Sequence, residues 1–119
     1  MSDVLETMKA RLYAFPGAAA DSAAAQKVLL YKVMGKMFAI WEPKLANLIV
    51  KCDPHLVDVL KETYEGVGHR GHLDRRFWIC INLRKDVPYE EAERLVAGSY
   101  DLIVSGLIKK QKAELAVLG

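Results

Sequence analysis

The step Asp53-Pro54 constrains this chain more than any other pair of residues. An aspartate can cap a helix through its carboxylate, and a proline fits the first helical position, where its missing N–H costs nothing. A helix therefore starts here, with Leu56, Val57, Leu60 and Tyr64 on one face and Gly66 at its end. The residues before the step follow a different period. Val28, Leu30 and Met34 alternate with Leu29, Tyr31 and Val33 from Lys27 onward, which reads as a strand. Met34-Gly35-Lys36 reads as a tight hairpin turn, Met37 to Trp41 as a second strand, Glu42-Pro43-Lys44 as a loop, and Leu45 to Cys52 as a third strand. Three successive antiparallel strands make a meander that the Asp53-Pro54 step brings to a stop.

Helical spacing also marks both ends of the chain. Val4, Leu5, Met8 and Leu12 give a first amphipathic helix over 3–14, stopped by Phe15-Pro16-Gly17. The alanine-rich run from Ala18 to Ala25 is left open between a loop and one helical turn. Phe77 to Leu83 reads as a strand, with Phe77, Ile79, Ile81 and Leu83 on one face and Trp78, Cys80 and Asn82 on the other. Asp86-Val87-Pro88 opens a long last helix, with Glu90, Glu91 and Glu93 in its first turns, where the helix dipole favours anions. A stripe from Ala92 through Ser99 to Gly106 and Leu107 faces inward, and Lys109, Lys110 and Lys112 lie towards its end.

The expected fold is α+β, an antiparallel sheet with helices packed mainly on one face in the order α-β-β-β-α-β(β)-α. Residues 1–119 form a single domain. At this length roughly two thirds of the unfolded surface is buried on folding, enough for a true core. No apolar run approaches the ~20 residues of a membrane span, and the acidic start Met1-Ser2-Asp3-Val4-Leu5-Glu6 does not read as a signal peptide. Cys52 and Cys80 stand apart, without a Cys-x-x-Cys pair, and read as reduced, buried hydrophobes of a cytoplasmic protein.

The net charge is only +2, but it is unevenly distributed. Residues 26–52 carry Lys27, Lys32, Lys36, Lys44 and Lys51 against Glu42, and residues 66–85 carry Arg70, Arg75, Arg76, Arg84 and Lys85 against Asp74. Each of these blocks has an excess of four cations, and both cover strand regions. The remaining blocks are negative and cover the helices. The densest stretch is Gly68-His69-Arg70-Gly71-His72-Leu73-Asp74-Arg75-Arg76-Phe77-Trp78. Cations beside aromatics suit a phosphate-bearing partner.

Each candidate has a competing structural role. Arg70, Arg75 and Arg76 suit phosphate or carboxylate through a planar fork, or else pair internally with Asp74, Glu62 or Glu65. Trp78 suits base stacking, or else fills a gap between sheet and last helix. Lys32, Lys36 and Lys51 suit a basic sheet edge, or else discourage edge-to-edge pairing. His69 and His72 lack a third metal ligand nearby other than Asp74. Cys80 with His72 lacks any nucleophile-elbow or oxyanion signature. In Ser99-Tyr100-Asp101, the serine suits close helix–sheet approach and the tyrosine hydroxyl a local hydrogen bond. No Gly-x-Gly-x-x-Gly, P-loop or His-Glu-x-x-His occurs.

Several segments together resemble the MmcQ/YjbR-like family, from about Tyr13 to Lys110. They are Pro16-Gly17-Ala18, the run from Tyr31 to Ala39, Val50-Lys51-Cys52-Asp53-Pro54, the run from His72 to Trp78, and Ser99-Tyr100-Asp101-Leu102-Ile103. The family's Asn-Lys-Arg-His-Trp pattern stands here as Asp74-Arg75-Arg76-Phe77-Trp78. The resemblance implies a CyaY-like or double-wing fold and the family's usual label, DNA binding, which rests on fold similarity.

The resulting expectation is a non-enzymatic binding module without metal or cofactor. It would contact DNA through Lys32, Lys36, Lys51, His69, Arg70, His72, Arg75, Arg76 and Trp78. The alternative is a domain that binds an acidic protein or a small anion. No membrane partner is expected, and a monomer suits the chain.

Overall fold

The computed structural model describes residues 2–23 and 28–118. Helix α1 (Ser2–Ala14) is followed by strands β1 (Ala18–Ala23), β2 (Val28–Val33), β3 (Lys36–Glu42) and β4 (Asn47–Lys51). Then come α2 (Pro54–Thr63), β5 (Val67–Gly68), β6 (Trp78–Asn82), α3 (Tyr89–Ser105) and α4 (Lys109–Leu118). The six strands form one antiparallel sheet in the order β1-β2-β3-β4-β6-β5. The α+β reading and the meander therefore hold.

Two elements were not legible. The alanine run left open above is an edge strand as far as Ala23, paired along its length with β2 from Ala18↔Val33 to Ala23↔Val28. Alanine favours helix in isolation, but the unpaired edge of β2 offers this backbone a complete ladder, and tertiary pairing overrides propensity. Ala24, Ala25 and Lys27 lie outside the described residues. The long last helix is really two. Gly106 caps α3, its N–H meeting the carbonyls of Ile103 and Val104, and α4 starts afresh at Lys109.

The other boundaries follow local chemistry. The Asp53 carboxylate accepts the His55 N–H at 2.8 Å and Pro54 takes the first turn of α2. Met34 and Gly35 have φ of 50° and 80°, as a two-residue primed hairpin turn requires. The third strand is shorter than expected, because Pro43 to Ala46 form a turn with Ala46 at φ 54°.

Register separates the two faces of the sheet. One face carries the rows Tyr31–Ala39–Val50–Ile79 and Leu29–Trp41–Leu48–Ile81–Val67. These residues belong to a core shared with Met8, Leu12 and Phe15 near α1, Val57 and Leu60 of α2, Val96 and Tyr100 of α3, and Leu115 of α4. A bulge opposite Tyr31 and Lys32 inserts Phe38 as an extra residue. Its buried ring meets Phe15 at 5.5 Å and Tyr100 at 5.3 Å. Ser99 is fully buried and joins the layers: its hydroxyl donates to the Phe38 carbonyl at 2.6 Å and accepts the Lys51 N–H at 2.8 Å. The close helix–sheet approach expected of this serine is present. The Tyr100 hydroxyl, expected to bond locally, instead donates to the Pro16 carbonyl at 2.5 Å.

The opposite face carries the row Leu30–Ile40–Ile49–Cys80–Gly68, with Lys51 level with Trp78 and Asn47 level with Asn82. No helix covers it. Among the described residues no helix is long and apolar enough to cross a membrane.

Candidate functional site

The loop between β5 and β6 is built around Asp74. Its backbone carbonyl accepts the N–H groups of Phe77 at 3.1 Å and Trp78 at 2.9 Å. Its carboxylate accepts the Arg76 backbone N–H at 2.9 Å and grips the guanidinium twice, at 3.1 and 2.8 Å. Hydrogen bonds from Arg76 hold the Asp74 carboxyl down at about 2. The Phe77 carbonyl then accepts the Cys52 N–H at 2.6 Å, which fixes the end of the loop to the end of β4.

Phe77 does not continue the buried face of β6. It precedes the strand, is half-buried, and carries two cations: the Arg76 guanidinium lies 5.3 Å and the Lys51 ammonium 5.9 Å from its ring centre. Lys51 and Arg76 come from the two separate basic blocks, so the fold brings those blocks together at this ring.

The six candidate lysines and arginines fall into two groups. Lys32 pairs with Asp21 at 2.8 Å, Arg70 with Glu42 at 2.5 Å, and Arg76 with Asp74 at 2.8 Å. Of the three pairs, only that of Arg76 has one of the carboxylates foreseen. Lys36, Lys51 and Arg75 meet no carboxylate among the described residues. All three lie at one end of the sheet, where β3 begins, β4 ends and the loop enters β6. His69 reaches the same region, its Nδ1 3.2 Å from the Trp78 carbonyl. A cleft of about 540 Å³ opens there between α2 and the loop, lined by Pro54, Lys61, His69, Arg75, Arg76 and Phe77 among others.

Trp78 does not fill a gap between sheet and last helix. Ile79 takes the buried face, so Trp78 stands on the uncovered one, half-buried and level with Lys51. Lys61 and Phe77 were missed. Lys61 lies in an acidic stretch of sequence and reaches the cleft only because α2 packs beside β5. Phe77 fits the alternating pattern of β6, which hides its position outside the strand.

Arg70 and His72 belong to a second place. They line a groove of about 520 Å³ on the uncovered face, over Val28, Leu30, Ile40 and Ile49. Glu42 at its rim accepts both Arg70 Nε and the Asn47 side-chain amide, the latter at 3.2 Å. A third concavity, about 540 Å³ and mainly apolar, lies between α2 and α3. There Leu56, Val59 and Leu102 remain well exposed.

Cys80 is poorly suited to act as a nucleophile. Burial, then the Glu42 charge, pushes the Cys80 thiol up to about 11, the opposite of what a nucleophilic thiolate needs. Burial likewise raises Cys52. Among the described residues no three histidine, cysteine or acidic side chains converge.

The shape is shared with known proteins. A crystal structure of a Deinococcus radiodurans protein bearing the DUF419 domain superposes with a TM-score of 0.84 at 23% identity, over 94% of this chain and 87% of that one. A Pseudomonas syringae protein follows with a TM-score of 0.68 at 15% identity, over 82% of this chain and 96% of that one. These likenesses concern the fold. No curated protein matches. The YjbR family matches residues 13–102, the greater part of the sequence and the segment holding the whole sheet, so the chain belongs to the YjbR family.

Proposed function

We propose that this protein is a non-enzymatic DNA-binding module that grips the phosphate backbone at the end of the sheet that carries Lys36, Lys51 and Arg75. The observation that carries the reading is the sorting of charge. Lys32 and Arg70 are paired with carboxylates, whereas Lys36, Lys51 and Arg75 meet none among the described residues. Lys61 adds a further ammonium in the adjoining cleft, which Asp58 also lines. Phe77 and Trp78 offer flat apolar surface beside these charges, suited to sugars or unstacked bases. Arg76 is committed to Asp74 and serves mainly to shape the loop.

The two isolated, buried thiols support a reducing, cytoplasmic setting. A site of three or four ion contacts is modest, so affinity is expected to be weak at physiological salt and strongly salt-dependent.

Fluorescence titration with labelled duplex and single-stranded DNA tests the proposal. Three neutralised phosphates predict a slope of log K against log salt of about −3. Absence of binding at low ionic strength, or binding indifferent to salt, would remove the reading.

A further inference from the structure

We infer that the groove on the uncovered face is a separate binding site for a small amphipathic monocarboxylate, one with an apolar body and a single anionic head. It is distinct from the cationic end of the sheet and does not depend on DNA binding there.

The floor supplies the apolar half of the site. Leu30 and Ile40 are only half-buried, and Val28 and Ile49 continue the surface beneath the loop. The groove's volume, about 520 Å³, falls within the range of small-molecule sites. Covering this floor with an apolar chain would remove from water hydrocarbon surface that no helix among the described residues lines.

The rim supplies the polar half. Arg70 uses only its Nε, donated to Glu42 at 2.5 Å, so its two terminal nitrogens have no partner among the described residues. The Glu42 side chain is 13% exposed and its carboxylate is itself held by Asn47, which fixes the direction of the guanidinium. A guanidinium anchored through Nε presents its remaining N–H groups as a fork, the geometry that matches a carboxylate. His72 lies on the same groove as a further donor or acceptor.

Charge selects the head group. Glu42 already cancels one positive charge and stands next to the place the ligand's head would occupy. A dianionic phosphate would be repelled by it more than a monoanion would, so a carboxylate is favoured.

Methyl-resolved NMR of the full chain tests this with octanoate, octanol and octyl phosphate as probes. Octanoate is expected to shift the Leu30, Ile40 and Ile49 methyl signals saturably, with octanol binding about tenfold more weakly because it cannot accept the charged fork. Octyl phosphate is expected to bind more weakly than octanoate. Arg70→Gln is expected to bring octanoate down to the level of octanol. No saturable shifts with octanoate, equal binding of octanoate and octanol, or tighter binding of octyl phosphate would each overturn the inference. The octanol comparison uses the unmodified protein, so the result stands even where Arg70→Gln perturbs folding.

Discussion

The two faces of the sheet are made from alternating residues of the same strands, yet they do different work. On the helix-covered face Trp41, Leu48 and Ile81 are essentially inaccessible. On the other face Ile40 and Asn82, next to Trp41 and Ile81, stay partly open together with Leu30, whereas Ile49, next to Leu48, is buried; among the described residues the loop between β5 and β6 borders this face. The difference teaches that packing is divided by parity, though not completely. One set of side chains closes the core, while the other is mixed, with Ile49, Cys80 and Val28 buried and Leu30 and Ile40 partly open.

Substitutions at adjacent positions test that division with the largest expected effect. Trp41→Ala should cost about 3–5 kcal/mol, as for a large side chain removed from a closed core. Ile40→Ala, one residue away on the uncovered face, should cost only about 1–2 kcal/mol, because part of its surface is already wet. Urea unfolding measures both, and equal costs would break the comparison. Ser99→Ala comes next. It leaves the Phe38 carbonyl and the Lys51 N–H unpaired between α3 and the sheet, for an expected loss of about 1–3 kcal/mol in the same assay.

A finer contrast sets Arg75 against Arg76. Arg75 has no carboxylate partner among the described residues, whereas Arg76 is held by Asp74. Arg75→Ala should weaken DNA binding several-fold and lower the salt slope by about one. Arg76→Ala should change the slope less, because Asp74 already occupies that guanidinium and keeps it from contacting a phosphate. Equal slopes in salt titrations of the two variants would show that pairing with Asp74 does not silence Arg76.

The smallest effect concerns acid. The Asp74 carboxyl lies at about 2 in the folded chain, below the ordinary aspartate value of about 3.9. Its contribution to loop order is therefore complete above about pH 4 and is lost as pH falls through 2. Asp86 is lowered too, by the N–H groups of Glu65 and Gly66, so it acts in the same direction. In a pH titration followed by NMR, the Arg76 amide should keep its shift until the solution approaches pH 2. A midpoint near 4 would mean that the Arg76 contacts contribute nothing.

How much of this was legible in the sequence follows from the range over which each feature is decided. The cap at Asp53-Pro54, the Met34-Gly35 turn and the alternation of β2, β3 and β6 depend on neighbouring residues, and all were readable. The strand Ala18–Ala23 was not, because alanine carries no period and the pairing edge lies elsewhere in the chain. Gly106 looked like one more small residue in an inward stripe, and its role as a cap appears only where α3 ends. The candidate site was legible as a set of charges but not as a geometry. Nothing local says that Glu42 will meet Arg70 across 28 residues, that Lys32 will be spent on Asp21, or that Lys61 will turn towards the loop. Those pairings decide which cations remain free.

The most direct test compares the two ends of the sheet. Lys36, Lys51 and Arg75 at one end are replaced together by glutamine, and Lys44, Arg84 and Lys85 at the other end are replaced in the same way, so both variants lose the same charge. DNA affinity is then measured over a range of salt for each. The account predicts that the first variant loses binding and salt dependence together while the second stays near the parent protein. Equal loss in both variants would contradict it, since net charge alone would then explain whatever binding occurs.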